Sequence, residues 1–128
     1  MRLLLDTHTL FWWLEADPLL SRAAKEAIGN EASNMHVCAA SAWEIAIEYR
    51  TGNWPEARDL AETLAAIVVG ERLRALPVTV EHALHPDQLA NEHRDAFDRL
   101  LAAQADLEQL TLATNDRPMT GFEIATLW

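Results

Sequence analysis

Short, largely apolar runs punctuate this chain, and they constrain its fold more than any other feature. Leu3-Leu4-Leu5 is the plainest; Met35 to Ala39, interrupted by His36, and Leu110 to Ala113, interrupted by Thr111, are two more. A strand with one wet face alternates apolar and polar side chains, so a run without alternation needs cover on both faces. The stretches between the runs carry helical spacing. Thr7 to Leu14 places Leu10, Phe11, Trp13 and Leu14 on a helix. Asp17-Pro18 reads as a helix start, with Asp17 as N-cap and Pro18 in the first position. Leu19, Leu20, Ala23, Ala24, Ala27 and Ile28 then face inward, and Gly29-Asn30 ends the helix. Ser41 opens a helix through Arg50 that Gly52 stops. Glu56 to Val69 is another, with Leu60, Leu64, Ile67 and Val68 inward and Gly70 after it. Leu76-Pro77-Val78 is a short extended piece, Thr79 to Leu84 a short helix, and His85 to Glu92 the most loop-like stretch. Asp95 to Leu107 is a strong amphipathic helix, and Ile124 to Leu127 a last short strand. Strands alternating with helices predict an α/β fold, a central parallel sheet of four to five short strands flanked by helices.

At 128 residues, half of them apolar, the chain suits one domain over residues 1–128 with a real core. No repeat or linker divides it. The single cysteine, Cys38, can form no internal disulfide and sits in an apolar run, as a small core residue would. Asp6 and His8 interrupt the N-terminal apolar residues before a signal peptide could develop. No stretch reaches the roughly 20 apolar residues of a membrane span, so the cytosol is the expected compartment. The formal net charge of −10 opposes ordinary nucleic-acid binding, which uses a basic footprint. Divalent cations among the carboxylates or a basic protein partner would soften that objection. The acidity also serves simple solubility.

Acids stand where the apolar runs end. Asp6 follows Leu5 directly, Glu44 lies shortly past the second run, Asp98 is in the first turns of the long helix, and Asp116 lies three residues past the Leu110 to Ala113 run. A parallel sheet brings its strand ends to one edge, where ligands of open α/β sheets bind. Carboxylates gathered there would repel one another unless a cation joined them. Each also has a local explanation. Asp6 could cap the following helix. Ser41-Ala42-Trp43-Glu44 matches the capping box. Asp95 and Asp98, three apart, suit a helix N-terminus. Asp116, in Thr114-Asn115-Asp116-Arg117-Pro118, suits a turn.

Other chemistry is poorly supported. There is no Gly-rich phosphate loop and no zinc-type Cys/His spacing. His82 and His85 read as surface residues. Tryptophans 12, 13, 43, 54 and 128 are too dispersed in sequence for a stacking platform, and suit core or partner-facing packing.

Read together, the segments resemble a known family. Leu3-Leu4-Leu5-Asp6-Thr7-His8, Ser41-Ala42-Trp43-Glu44-Ile45-Ala46-Ile47, Leu76-Pro77-Val78-Thr79, His93 through Ala105, Leu110 through Asp116 and the closing Leu127-Trp128 are similar to the PIN-domain ribonucleases, specifically the VapC-type toxins of bacterial toxin–antitoxin pairs. The resemblance implies a PIN-like fold and an acidic pocket holding Mg²⁺ or Mn²⁺. It also implies endoribonuclease activity by metal-activated water, leaving a 5′-phosphate and a 3′-hydroxyl. By position, the catalytic and metal-binding acids would be Asp6, Glu44, Asp98 and Asp116, with Asp95 a fifth metal contributor. Thr114 and Ser41 would be nearby hydroxyl donors, and Arg94, Arg99 and Arg117 candidate phosphate contacts. The expected partners are a cognate antitoxin, an RNA such as tRNA, and a second copy of the chain. Ala96, Glu48 and Asn115 depart from the family's commoner residues, which bears on RNA affinity and substrate choice. The rivals are a PIN-fold binding module without turnover and a phosphatase-like or receiver-type phosphoryl-transfer domain. A phosphatase of the haloacid dehalogenase type would need a second Asp where His8 stands. A receiver would need a late Lys, and the only lysine is Lys25.

Overall fold

The computed structural model describes residues 1–69, 72–85 and 95–128. Its strands are β1 (Arg2–Leu5), β2 (Asn34–Cys38), β3 (Leu73–Leu76), β4 (Thr111–Ala113) and β5 (Thr126–Leu127). They form one sheet in the order β3-β2-β1-β4-β5, every neighbouring pair parallel. The helices are α1 (Thr7–Leu14), α2 (Arg22–Gly29), α3 (Ala39–Arg50), α4 (Arg58–Ile67), α5 (Val80–Leu84) and α6 (Ala96–Leu107).

β1 is central, and its leucines show why the run lacks alternation. Leu3, Leu4 and Leu5 are all fully buried. Leu3 and Leu5 join Val37, Leu10, Ile28, Ile45 and Leu60 on one face. Leu4 joins Cys38, Leu101, Leu112, Met119 and Phe122 on the other. Burying one such side chain contributes roughly 1.5–3 kcal/mol, so the doubly covered strand anchors the fold. Because β1 pairs with both β2 and β4, the chain order reverses beside it. That is the switch point at which the carboxyl edge of an open sheet forms a crevice.

Several local expectations are corrected. Asp17-Pro18 makes a turn, in which the Asp17 carboxylate accepts from the Leu19 N–H at 2.8 Å. The helix starts later, capped by Ser21, and Leu19 is exposed rather than inward. A 3-10 turn at Pro55–Ala57 precedes α4, which begins at Arg58 rather than Glu56. The third strand is Leu73–Leu76, three residues earlier than Leu76-Pro77-Val78; as an edge strand with two exposed residues it lacks a strong apolar signature. His82 is buried, not a surface residue: it closes a capping box with Thr79. Gly70 and most of the His85–Glu92 stretch lie outside the described residues, as does Arg94.

Cys38 is a core residue as expected. It is fully buried, and that burial pushes its thiol pKa up, against the opposing backbone hydrogen bonds of Ala40 and Ser41. Among the described residues, no helix is long and apolar enough to cross a membrane.

Candidate active site

A cleft of about 610 Å³ opens at the carboxyl edge of β1 and β4. Asp6, Glu44, Glu48, Asp95, Asp98 and Asp116 all line it. Four chain segments deliver them. β1 runs straight into α1 and leaves Asp6 at the joint. β2 runs straight into α3 and places Glu44 and Glu48 one turn apart. β4 ends two residues before Asn115 and three before Asp116, and the start of α6 brings Asp95, its N-cap, and Asp98 in its first turn.

Asp6 is the N-cap of α1. One carboxylate oxygen accepts from the Thr9 N–H at 2.8 Å, and the other accepts a short hydrogen bond from the Thr114 hydroxyl. The capping and site roles thus coincide. Each oxygen keeps a lone pair beyond the bond it accepts. Thr9 is itself buried, its hydroxyl donating to the Ala113 carbonyl at 2.9 Å, so Asp6 is tied across to β4 through two threonines.

Glu44 departs from its sequence reading. The helix is capped by Cys38, not Ser41. Ser41 is buried in the first turn and lies outside the cleft lining, so no capping box forms. The Glu44 carboxylate instead accepts from the Thr7 hydroxyl at 2.8 Å. Burial pushes its pKa above the ordinary carboxylate value. Thr7 and the nearby His8 pull it down, and the charges of Asp95 and Glu48 push it up further.

On α6, Asp95 is the exposed N-cap, accepting from the N–H groups of Phe97 and Asp98 at 2.9 and 3.1 Å. Asp98, one turn on, is half-buried. Asp116 does not cap the 3-10 turn that follows it with its side chain; its N–H donates to the Thr114 hydroxyl at 3.1 Å. Arg117 lines the cleft. Arg99 does not, its guanidinium lying 5.6 Å from the centre of the Phe122 ring.

Two groups escaped the sequence reading. Thr7 and Thr9 hold the acids, and their positions one and three residues after Asp6 were the available signal. Tryptophans scattered in sequence also converge in space. His8 stacks on Trp54, and Trp12 touches both His8 and Trp128. The spacing of His8 and Trp12, four apart on one helix, was the clue.

The donors offered are all oxygens, the type that hard divalent cations take. A cation would offset both the burial that raises Glu44 and the lesser repulsion from Asp95 and Glu48. Among the described residues, no three Asp, Glu, His or Cys side chains stand at caging distance, so the carboxylates share a cleft rather than a closed cage. The donor chemistry fits a divalent ion with part of its shell left to water, as Mg²⁺ prefers.

Fold and cleft define a doubly covered parallel α/β domain with an acid-lined carboxyl edge. The chain belongs to the PIN domain family, whose model matches residues 3–121. No curated protein matches the sequence. Several solved structures share the fold. VapBC2 from Rickettsia felis, bound to a promoter DNA fragment, aligns at 14% identity over 99% of this chain and 98% of its own, with a TM-score of 0.72. FitAcB from Neisseria gonorrhoeae aligns at 21% identity over 98% and 96%, with a TM-score of 0.64. VapC20 of Mycobacterium tuberculosis, described as a sarcin-ricin-loop-cleaving toxin, aligns at 14% identity over 92% of each chain, with a TM-score of 0.68.

Proposed function

We propose that this PIN domain is the toxin of a toxin–antitoxin pair, a divalent-metal-dependent endoribonuclease held in check by a cognate antitoxin. The convergence of Asp6, Glu44, Asp98 and Asp116 on one cleft carries the reading. The structural neighbours support it: one is described as a toxin that cleaves the sarcin-ricin loop, and another, from Klebsiella pneumoniae, as a toxin–antitoxin complex. Asp6, Glu44, Asp98 and Asp116, with Asp95 at the margin, would hold Mg²⁺ or Mn²⁺. When bound, such an ion activates water and compensates phosphate charge.

The chain's own residues supply the rest. The Thr9 N–H and the Thr114 hydroxyl fix both oxygens of Asp6. Thr7 orients Glu44. Such supporting hydrogen bonds typically matter 10–100-fold to metal affinity or activity. Arg117 lines the same cleft and would meet a phosphate oxygen of the substrate. The substrate would be RNA, with tRNA a first choice to try. The expected setting is the cytoplasm and the expected form a homodimer when free.

An RNase assay on structured RNA including tRNA, with Mg²⁺ or EDTA, tests the reading. Wild type should cleave only with the metal, and Asp6→Asn should not cleave. Wild type that binds an antitoxin but never cleaves would mark a binding module without turnover.

A further inference from the structure

The His8–Trp54 stack is packed more deliberately than helix cover requires. The ring centroids are 4.7 Å apart with planes 22° from parallel. Phe11 meets Trp54 edge-on at 5.0 Å, and Trp12 leans on His8 at 5.7 Å. Trp54 is also fixed through its backbone, its N–H donating to the Glu48 carbonyl at 3.0 Å. Yet His8 remains exposed. Both rings line the cleft that holds the carboxylates, and His8 is two residues from Asp6. A braced aromatic ring thus faces solvent beside the reacting edge.

The cleft's charge shows why such a ring would be needed. Among the described residues that line it, six are carboxylic acids and Arg117 is the one guanidinium. A polyanion cannot be retained there by the cationic groove that most nucleic-acid sites use. Base stacking does not depend on charge and tolerates any base, because every base has a π-face.

We propose that His8, seated on Trp54, is a base-stacking platform: the nucleobase beside the phosphate held at the acidic cleft packs on the imidazole ring. This rests on the RNA-cleavage reading above and adds a specific positioning role for His8. The ring acts as an aromatic surface, so an aromatic ring without ionisable nitrogens should serve in its place.

The test uses AMP and ribose 5-phosphate as probes, which separate base from phosphate without requiring turnover. In NMR titrations of the full chain with Mg²⁺, AMP should shift the Trp54 indole N–H signal, assigned by its loss in Trp54→Phe. Ribose 5-phosphate should leave that signal in place. In His8→Ala, AMP affinity should fall roughly tenfold, the size of effect that loss of one stacked base produces. His8→Phe should restore it, with thermal unfolding showing all variants folded. For RNA cleavage, His8→Ala should raise KM by about the same factor with kcat little changed. If both probes shift the Trp54 signal equally, if AMP shifts nothing, or if His8→Phe fails to restore affinity, the platform is wrong. Cleavage of RNA in that event would leave the nuclease reading standing. Base-dependent binding without cleavage would do the reverse.

Discussion

Two acid-containing clusters of this fold, compared among the described residues, are built in opposite ways. Between α5 and α6, Glu108 and Asp106 each meet a histidine. His82 is buried and accepts the Thr79 N–H at Nδ1, so its Nε2–H donates to Glu108 at 2.8 Å. His85 pairs with Asp106 at 2.6 Å. Gln104 reaches from α6 to the Pro77 carbonyl at 3.3 Å. These bonds join two helices and satisfy most of their own polar groups, as buried polar groups in a stable interior do. At the carboxyl edge of the sheet, acids from four elements face one space with little cationic company, and Glu44 holds its proton more tightly, through burial first and the charges of Asp95 and Glu48 second. The first arrangement makes an interface. The second costs stability unless something positive arrives, and such costs accumulate where a site has work to do.

Substitutions should therefore separate activity from stability in opposite directions. The largest effect should come from Asp6→Asn. RNA cleavage should drop by roughly a hundredfold or more, with the fold kept because Asn caps a helix about as well as Asp; unfolding by circular dichroism and a cleavage assay check both.

Glu44→Gln should lose activity comparably while stabilising the metal-free protein near neutral pH. The sign follows from the raised pKa. The folded chain retains the Glu44 proton above its ordinary value of 4.5, so the native state binds more protons than the unfolded one. Stability from this group is present at low pH and lost as pH rises through the folded value. Denaturant unfolding across that range should show the decline in wild type and a shallower one in Glu44→Gln.

The two acids of α6 should differ. Asp98→Asn should reduce cleavage more than Asp95→Asn, because Asp95 is exposed and occupied as a cap; equal losses would make Asp95 a full ligand. In the other cluster, His82→Ala should cost about 2 kcal/mol of stability, since it empties a buried position and removes the bonds to Thr79 and Glu108. Its cleavage rate per folded molecule should not change. A drop in that rate would break the contrast between the regions.

What could be read from the sequence follows the same divide. The leucines of β1, the amphipathic α6 and the parallel order were legible because burial on two faces leaves a compositional mark. The site acids were legible as strand-end residues, though each also fitted a cap or a turn. Asp6 turned out to be cap and cleft residue at once. Ser41 misled because β2 passes directly into α3, so the helix begins at Ala39 and Ser41 falls inside it. β3 was displaced because an exposed edge strand carries no continuous apolar run. The Thr7 support of Glu44, the burial of His82 and the contacts of His8 with Trp54 and of Trp12 with Trp128 depend on distant segments meeting, at which local spacing only hints.

The proposed chemistry requires the cleft carboxylates to hold a divalent cation. Calorimetric titration of the metal-free protein with Mn²⁺ at neutral pH tests it most directly. Wild type should bind saturably and unfold at higher temperature when loaded, as any ligand of the native state requires, and Asp6→Asn should lose both responses. Binding that is absent in wild type, or undiminished in Asp6→Asn, would contradict the account.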